Sequence, residues 1–126
     1  MNVIRKAIRQ AALTSLQVDG DQACQQYRFG EDFPGFSGHF PDYPVLPAVL
    51  QSLLAQMMAE ELVGRPLRCT TLQQAKFTRQ VRPDELLDVT VECQPQQGGY
   101  RCKAILTVAD VRAAQFVLLL EERSTS

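Results

Sequence analysis

Residues 36–64 read FSGHFPDYPVLPAVLQSLLAQMMAEELVG. The first half holds the only histidine of the chain, His39, and three prolines, Pro41, Pro44 and Pro47. The second half is an apolar run in which Leu46, Leu50, Leu53, Leu54, Met57 and Met58 recur at helical spacing. Pro47 suits the first turn of a helix, where its missing N–H costs nothing. Gly64, followed by Arg65 and Pro66, supplies a stop. The expectation is a helix from about Pro47 to Val63. Ala48, Val49, Ala55 and Ala59 widen its apolar stripe to most of the circumference, the pattern of a helix buried in the middle of a domain.

Beyond Pro66 the period becomes two. In AKFTRQV, Ala75, Phe77 and Val81 alternate with Lys76, Thr78 and Gln80. In LLDVTVEC, Leu87, Val89, Val91 and Cys93 face one way, and Asp88, Thr90 and Glu92 the other. YRCKAILTV groups Tyr100, Cys102, Ala104, Leu106 and Val108, and AAQFVLLLEE is an apolar last strand. Turn residues separate these runs at Arg82-Pro83-Asp84, at Gln97-Gly98-Gly99 and near Asp110. Short connections make the strands antiparallel neighbours. Upstream, IRKAIRQAALTSL reads either as an amphipathic helix, with Ile4, Ile8, Ala11 and Ala12 on one face, or as the approach to a strand. The Asp19-Gly20 pair is a hairpin signal and favours two short antiparallel strands. The expected order is two strands, one buried helix and four strands, an α+β domain whose antiparallel sheet wraps one central helix.

The bulk properties agree. A chain of 126 residues, 45% hydrophobic and 21% charged, suits one globular domain with one core over 1–126. A net charge of -1 gives no electrostatic case for nucleic acid or an anionic membrane. No apolar run is long enough to span a bilayer, and the basic N-terminus lacks the apolar stretch of a secretory signal. The four cysteines, Cys24, Cys69, Cys93 and Cys102, show no CxxC spacing, so no metal is expected and free thiols in a reducing cytoplasm are. A turn centred on Gln97-Gly98 would set Cys93 opposite Cys102.

The motif GHFPDYPVLPAVL, followed by the buried helix and then AKFTRQVRPDELLDV, resembles the hotdog-fold 3-hydroxyacyl-(acyl-carrier-protein) dehydratases of fatty acid synthesis. It is nearly as similar to the dehydratase-like proteins of aryl-polyene and related lipid gene clusters. Gly38, His39, Phe40, Pro41, Pro44, Val45, Pro47, Val49 and Leu50 match the first family pattern, and Phe77, Val81 and Pro83 the second. The resemblance implies a hotdog fold and a cytoplasmic homodimer with its acyl tunnel at the dimer interface. It implies a thioester substrate on acyl carrier protein or coenzyme A, and no cofactor. It makes His39 the base that removes the α-proton, with the Val45 carbonyl orienting the imidazole and the Ala48 N–H facing the thioester oxygen. Phe77 and the position of Leu53 complete the substrate-binding set.

Three positions depart from the family. Leu53 stands where the family carries its helix acid, Ala48 replaces a glycine, and Pro83-Asp84-Glu85 replaces Pro-Gly-Asp. Leu53 cannot transfer a proton, so a slow dehydratase or none is expected. Gln51, Ser52 and Gln56 are the helix residues able to bind a water instead. Asp42, three residues from His39, is either a partner for it or an exposed turn residue. Glu60 and Glu61 are expected on the solvated end of the helix. Lys76 and Arg82 alternate onto the face opposite Arg79; these basic residues suit either a solvated outer face, the commoner meaning, or contact with a carrier protein and its phosphopantetheine. Two other functions stay open: a hotdog thioesterase using Asp42, and an acyl-thioester-binding subunit without catalysis.

Overall fold

The computed structural model of the protein describes residues 3–36 and 44–123. His39 and Asp42, and the roles expected of them, lie outside the described residues. A short helix, α1 (Val3–Ala11), is followed by strands β1 (Gln17–Asp19) and β2 (Gln22–Arg28), the long helix α2 (Ala48–Val63), and strands β3 (Leu67–Phe77), β4 (Leu86–Gln96), β5 (Gly99–Val108) and β6 (Val111–Glu122). The strands form one six-stranded antiparallel sheet in the order β1-β2-β4-β5-β6-β3.

The expected hairpin exists. Gly20, at φ 63, turns β1 into β2 with Asp19 paired to Gln22. Upstream of it the helical one of the two readings holds: Val3–Ala11 is a helix, which the expected order of elements did not include. Ile4, Ala7, Ile8 and Ala11 pack that helix on the core, a three-and-four spacing that no strand presents to one side.

The α2 helix begins where the prolines predict. Pro47 is the N-cap, and Gly64, left-handed at φ 76, closes the helix by donating its N–H to the Glu60 carbonyl. Leu54, Ala55, Met58 and Ala59 are buried against the concave face of the sheet. That face is built from Leu87, Val89, Val91 and Cys93 of β4, Cys102, Ala104, Leu106 and Val108 of β5, and Phe116, Leu118 and Leu120 of β6. Full burial of one such leucine or phenylalanine is worth about 1.5–3 kcal/mol, so the sheet and α2 stabilise each other.

The alternation expected in β3 is not observed. Its first residue, Leu67, is buried and the remaining ten are exposed, Ala75 among them. Register slips between Cys69 and Thr71 and between Gln73 and Lys76, with Gln74 at φ 51, break the two-residue period. The strand ends at Phe77, and Val81 is buried from the loop that follows. β3 is therefore a long, bulged edge.

Candidate functional site

The segment before α2 is fastened at Leu46. Its N–H donates to the Val81 carbonyl at 2.7 Å, and its carbonyl accepts the Gln51 Nε2–H at 3.0 Å. The α2 ladder starts with the N–H groups of Leu50 and Gln51, both donating to the Pro47 carbonyl. The N–H groups of Ala48 and Val49 precede it, at the positive end of the helix dipole.

These residues border a cavity of about 270 Å³ lined by Val45, Pro47, Ala48, Gln51, Phe77 and Arg79, with Leu46, Thr78 and Gln80. Three of the four described positions assigned to the site from the sequence, Val45, Ala48 and Phe77, thus meet at one place. The fourth does not: Leu53 is half-buried, packs on the core and does not line this cavity. Phe77 forms one wall and stacks on Phe116, with ring centroids 5.8 Å apart.

Gln51 is 4% exposed, and its Oε1 is buried without a hydrogen-bond partner among the described residues. Such an orphan acceptor costs about 1–3 kcal/mol. Turning the amide over would set Oε1 against the Leu46 oxygen, so the donor assignment follows from the partner.

The loop from β3 to β4 closes the site from the other side. Both terminal nitrogens of Arg79 donate to the Glu85 carboxylate, at 3.1 and 2.7 Å, and the Arg82 N–H donates to it at 2.8 Å. The hydrogen bonds from Arg79, then that from the Arg82 backbone, hold the Glu85 carboxyl below its ordinary range. Asp84, in the place of the family glycine, has φ 67 and donates its N–H to the Phe29 carbonyl at 2.7 Å. The left-handed backbone explains why a glycine suits this position, and aspartate is among the side chains that tolerate it.

A larger cavity of about 620 Å³ lies elsewhere, between α1 and the far end of α2. Of its charged residues, Arg5 and Glu60 pair with each other and Arg65 pairs with Glu122; Arg9, Glu61 and Arg123 also line it, and no motif residue does. Glu60 corrects the sequence expectation. Its carboxylate, 13% exposed, is held by Arg5 and by the Leu67 N–H rather than solvated. Periodicity carries no signal for this, because the partner lies 55 residues away.

Comparison with known proteins identifies the family and the fold. The family model described as "ApeI-like: ApeI dehydratase" matches residues 15–114. The 3-hydroxyacyl-(acyl-carrier-protein) dehydratase FabZ of Bacillus cereus (strain AH820) is 40% identical over 81 residues, 58% of this chain and 56% of that protein. FabZ of Pelotomaculum thermopropionicum is 32% identical over 106 residues, covering 79% of this chain and 70% of the relative. The chain thus spans little more than half the length of the Bacillus relative. Among solved structures, the dehydratase heterocomplex ApeI:P from Xenorhabdus doucetiae superposes with a TM-score of 0.76 at 20% identity, covering 88% of this chain and 96% of that one. A hypothetical thioesterase with coenzyme A from Streptococcus pneumoniae TIGR4 gives 0.69 at 9% identity, covering 96% and 97%. At these identities the two structures speak for the hotdog fold alone. The family match runs over well more than half of the 126 residues, and the chain belongs to the ApeI-like dehydratases.

Proposed function

We propose that the protein binds 3-hydroxyacyl thioesters at the start of α2 and dehydrates them slowly, in fatty acid or related lipid and polyene biosynthesis. The observation that carries this reading is the cavity where Val45, Ala48 and Phe77 meet beside the first amides of α2. The names of the FabZ relatives point to acyl carrier protein as the bearer of the thioester. Coenzyme A, bound to the hypothetical thioesterase of Streptococcus pneumoniae, is the second candidate.

In this reading His39 removes the α-proton, since imidazole titrates near neutrality. The enolate oxygen faces the Ala48 N–H, where the helix dipole favours negative charge. One such donor is worth roughly 3 kcal/mol in measured oxyanion holes. Loss of the 3-hydroxyl then needs a proton that Leu53 cannot give. His39 or a water must return it, which lowers turnover by about 10²–10⁴-fold relative to a site with its own acid.

The working unit in this reading is a homodimer. Val49 is 72% exposed and Leu72 44%, on the helix and the edge strand that the sheet leaves uncovered. A second copy is the simplest cover for both.

Incubation with a 3-hydroxyacyl thioester tests the reading. Growth of the conjugated enoyl absorbance without release of free thiol is the expected result. Thiol release without enoyl product would mark a thioesterase, and binding with neither product a non-catalytic subunit.

A further inference from the structure

Gln51 is the buried polar residue of the described core, yet one end of its amide has no partner there. A side chain that leaves an acceptor orphaned is not explained by stability alone. Its other end explains it better. Nε2 grips the Leu46 carbonyl, and Leu46 is the residue between Val45 and Pro47 in the segment that enters α2. The opposite edge of the same residue is tied to Val81.

We propose that Gln51 is a positioning residue, whose amide clamps the Leu46 peptide so that the Val45 carbonyl and the Ala48 N–H keep the orientation a thioester in this cavity requires. The role rests on the thioester reading above. Gln51 does not need to touch the substrate. It acts through a backbone whose freedom the neighbouring prolines already limit. The Gln51 clamp and the Leu46–Val81 hydrogen bond fix what the prolines leave free: rotation of the segment as a whole.

Two variants test it in steady-state kinetics on a 3-hydroxyacyl-N-acetylcysteamine thioester. Gln51→Leu exchanges one unsatisfied acceptor, Oε1, for another, the Leu46 oxygen, so its melting temperature stays near that of the wild type. Its kcat falls about 10–100-fold while KM changes by less than about threefold, because misorientation slows the reaction more than it weakens binding. Gln51→Glu supplies the rescue. Ionised, its carboxylate cannot donate to the Leu46 carbonyl; protonated, its O–H can. Its activity relative to wild type therefore recovers as pH falls. Among the described residues that line the cavity Arg79 is the ionisable one, and it is paired with Glu85; His39, the proposed base, titrates in wild type and variant alike, so the ratio of the two activities isolates the new carboxyl. Wild-type kcat in Gln51→Leu overturns the role. So does a fall in melting temperature with no pH recovery in Gln51→Glu, which would make the side chain merely structural. A wild type without turnover removes the thioester reading and this role together, whereas an active wild type with unaffected variants removes the role alone.

Discussion

Arg5 of α1 and Glu60 of α2 form an ion pair at 2.7 Å, and the second oxygen of the same carboxylate accepts the N–H of Leu67, the first residue of β3, at 3.0 Å. One side chain thereby joins three elements. Burial works to raise the Glu60 carboxyl. Hydrogen bonds from Arg5, the Leu67 amide and Gln56, with the charge of Arg5, outweigh it and hold the group below its ordinary 4.5.

A depressed carboxyl stabilises the fold above its unfolded value and loses that contribution as pH falls through the folded value. Glu60→Gln is expected to cost about 1.5–3 kcal/mol at pH 7, the range for charged hydrogen bonds. The difference from wild type shrinks as the pH is taken below 4.5. Urea titrations of both proteins at pH 7 and pH 4 measure it. An equal gap at the two values would show that the carboxylate charge is not what counts.

Cys93 and Cys102 stand directly opposite each other on β4 and β5. The Cys93 N–H donates to the Asp21 carbonyl, on the side away from β5, so the two cysteines form a non-hydrogen-bonded pair with close side chains. The hydrogen bond with Cys93, and then burial, push the Cys102 thiol well above its ordinary value. The same hydrogen bond lowers the Cys93 thiol, but both side chains are buried, so both cysteines are expected to resist iodoacetamide until the sheet unfolds. Peptide mass mapping across a urea series reads this. Modification of Cys102 in native buffer at the rate of a free peptide thiol would contradict the packing.

Much of the fold was readable because single side chains dictate it. Pro47 and Gly64 bracket α2 to within a residue. Ala109 and Asp110, at φ 51 and 64, make the tight turn read near Asp110. The buried faces of β4 and β5 are the alternating sets of the sequence. What was not legible depends on distant partners. The face of α1 has meaning only against a core completed later in the chain. β3 lost its alternation because an edge strand with two register slips has no single buried side. At the site, the motif led to Val45, Ala48 and Phe77, but the grip of Gln51 on Leu46 has no sequence signal beyond a polar residue in an apolar helix.

Assembly is expected to show in dilution. Analytical ultracentrifugation from nanomolar to micromolar concentration should find a dimer at micromolar protein, with an interface of ~2,000 Å² or more. Val49→Asp and Leu72→Lys, which put charge on exposed apolar positions of α2 and β3, should shift it to monomer. A wild type that is a stable monomer at every concentration would remove the dimer.

Leu53 does not line the cavity of its own chain; if the proposed dimer brings it to the substrate of the other copy, Leu53→Glu should raise dehydratase turnover by up to ~10²-fold, because a carboxyl in an apolar setting stays protonated and acts as an acid. Replacing a packed leucine by a polar group costs about 2–4 kcal/mol, so a folded variant must first be confirmed by its melting curve. A folded variant with no gain would mean that the substrate hydroxyl does not lie at this position.

The dehydration chemistry is tested most directly by comparing enoyl formation from one 3-hydroxyacyl thioester by the wild type and by His39→Ala. The prediction is measurable product from the wild type, a loss of about 10²-fold or more in the variant, and nearly equal melting temperatures, since removing a catalytic base need not disturb packing. Full activity in His39→Ala, or a variant whose loss of activity follows a loss of folding, would contradict it.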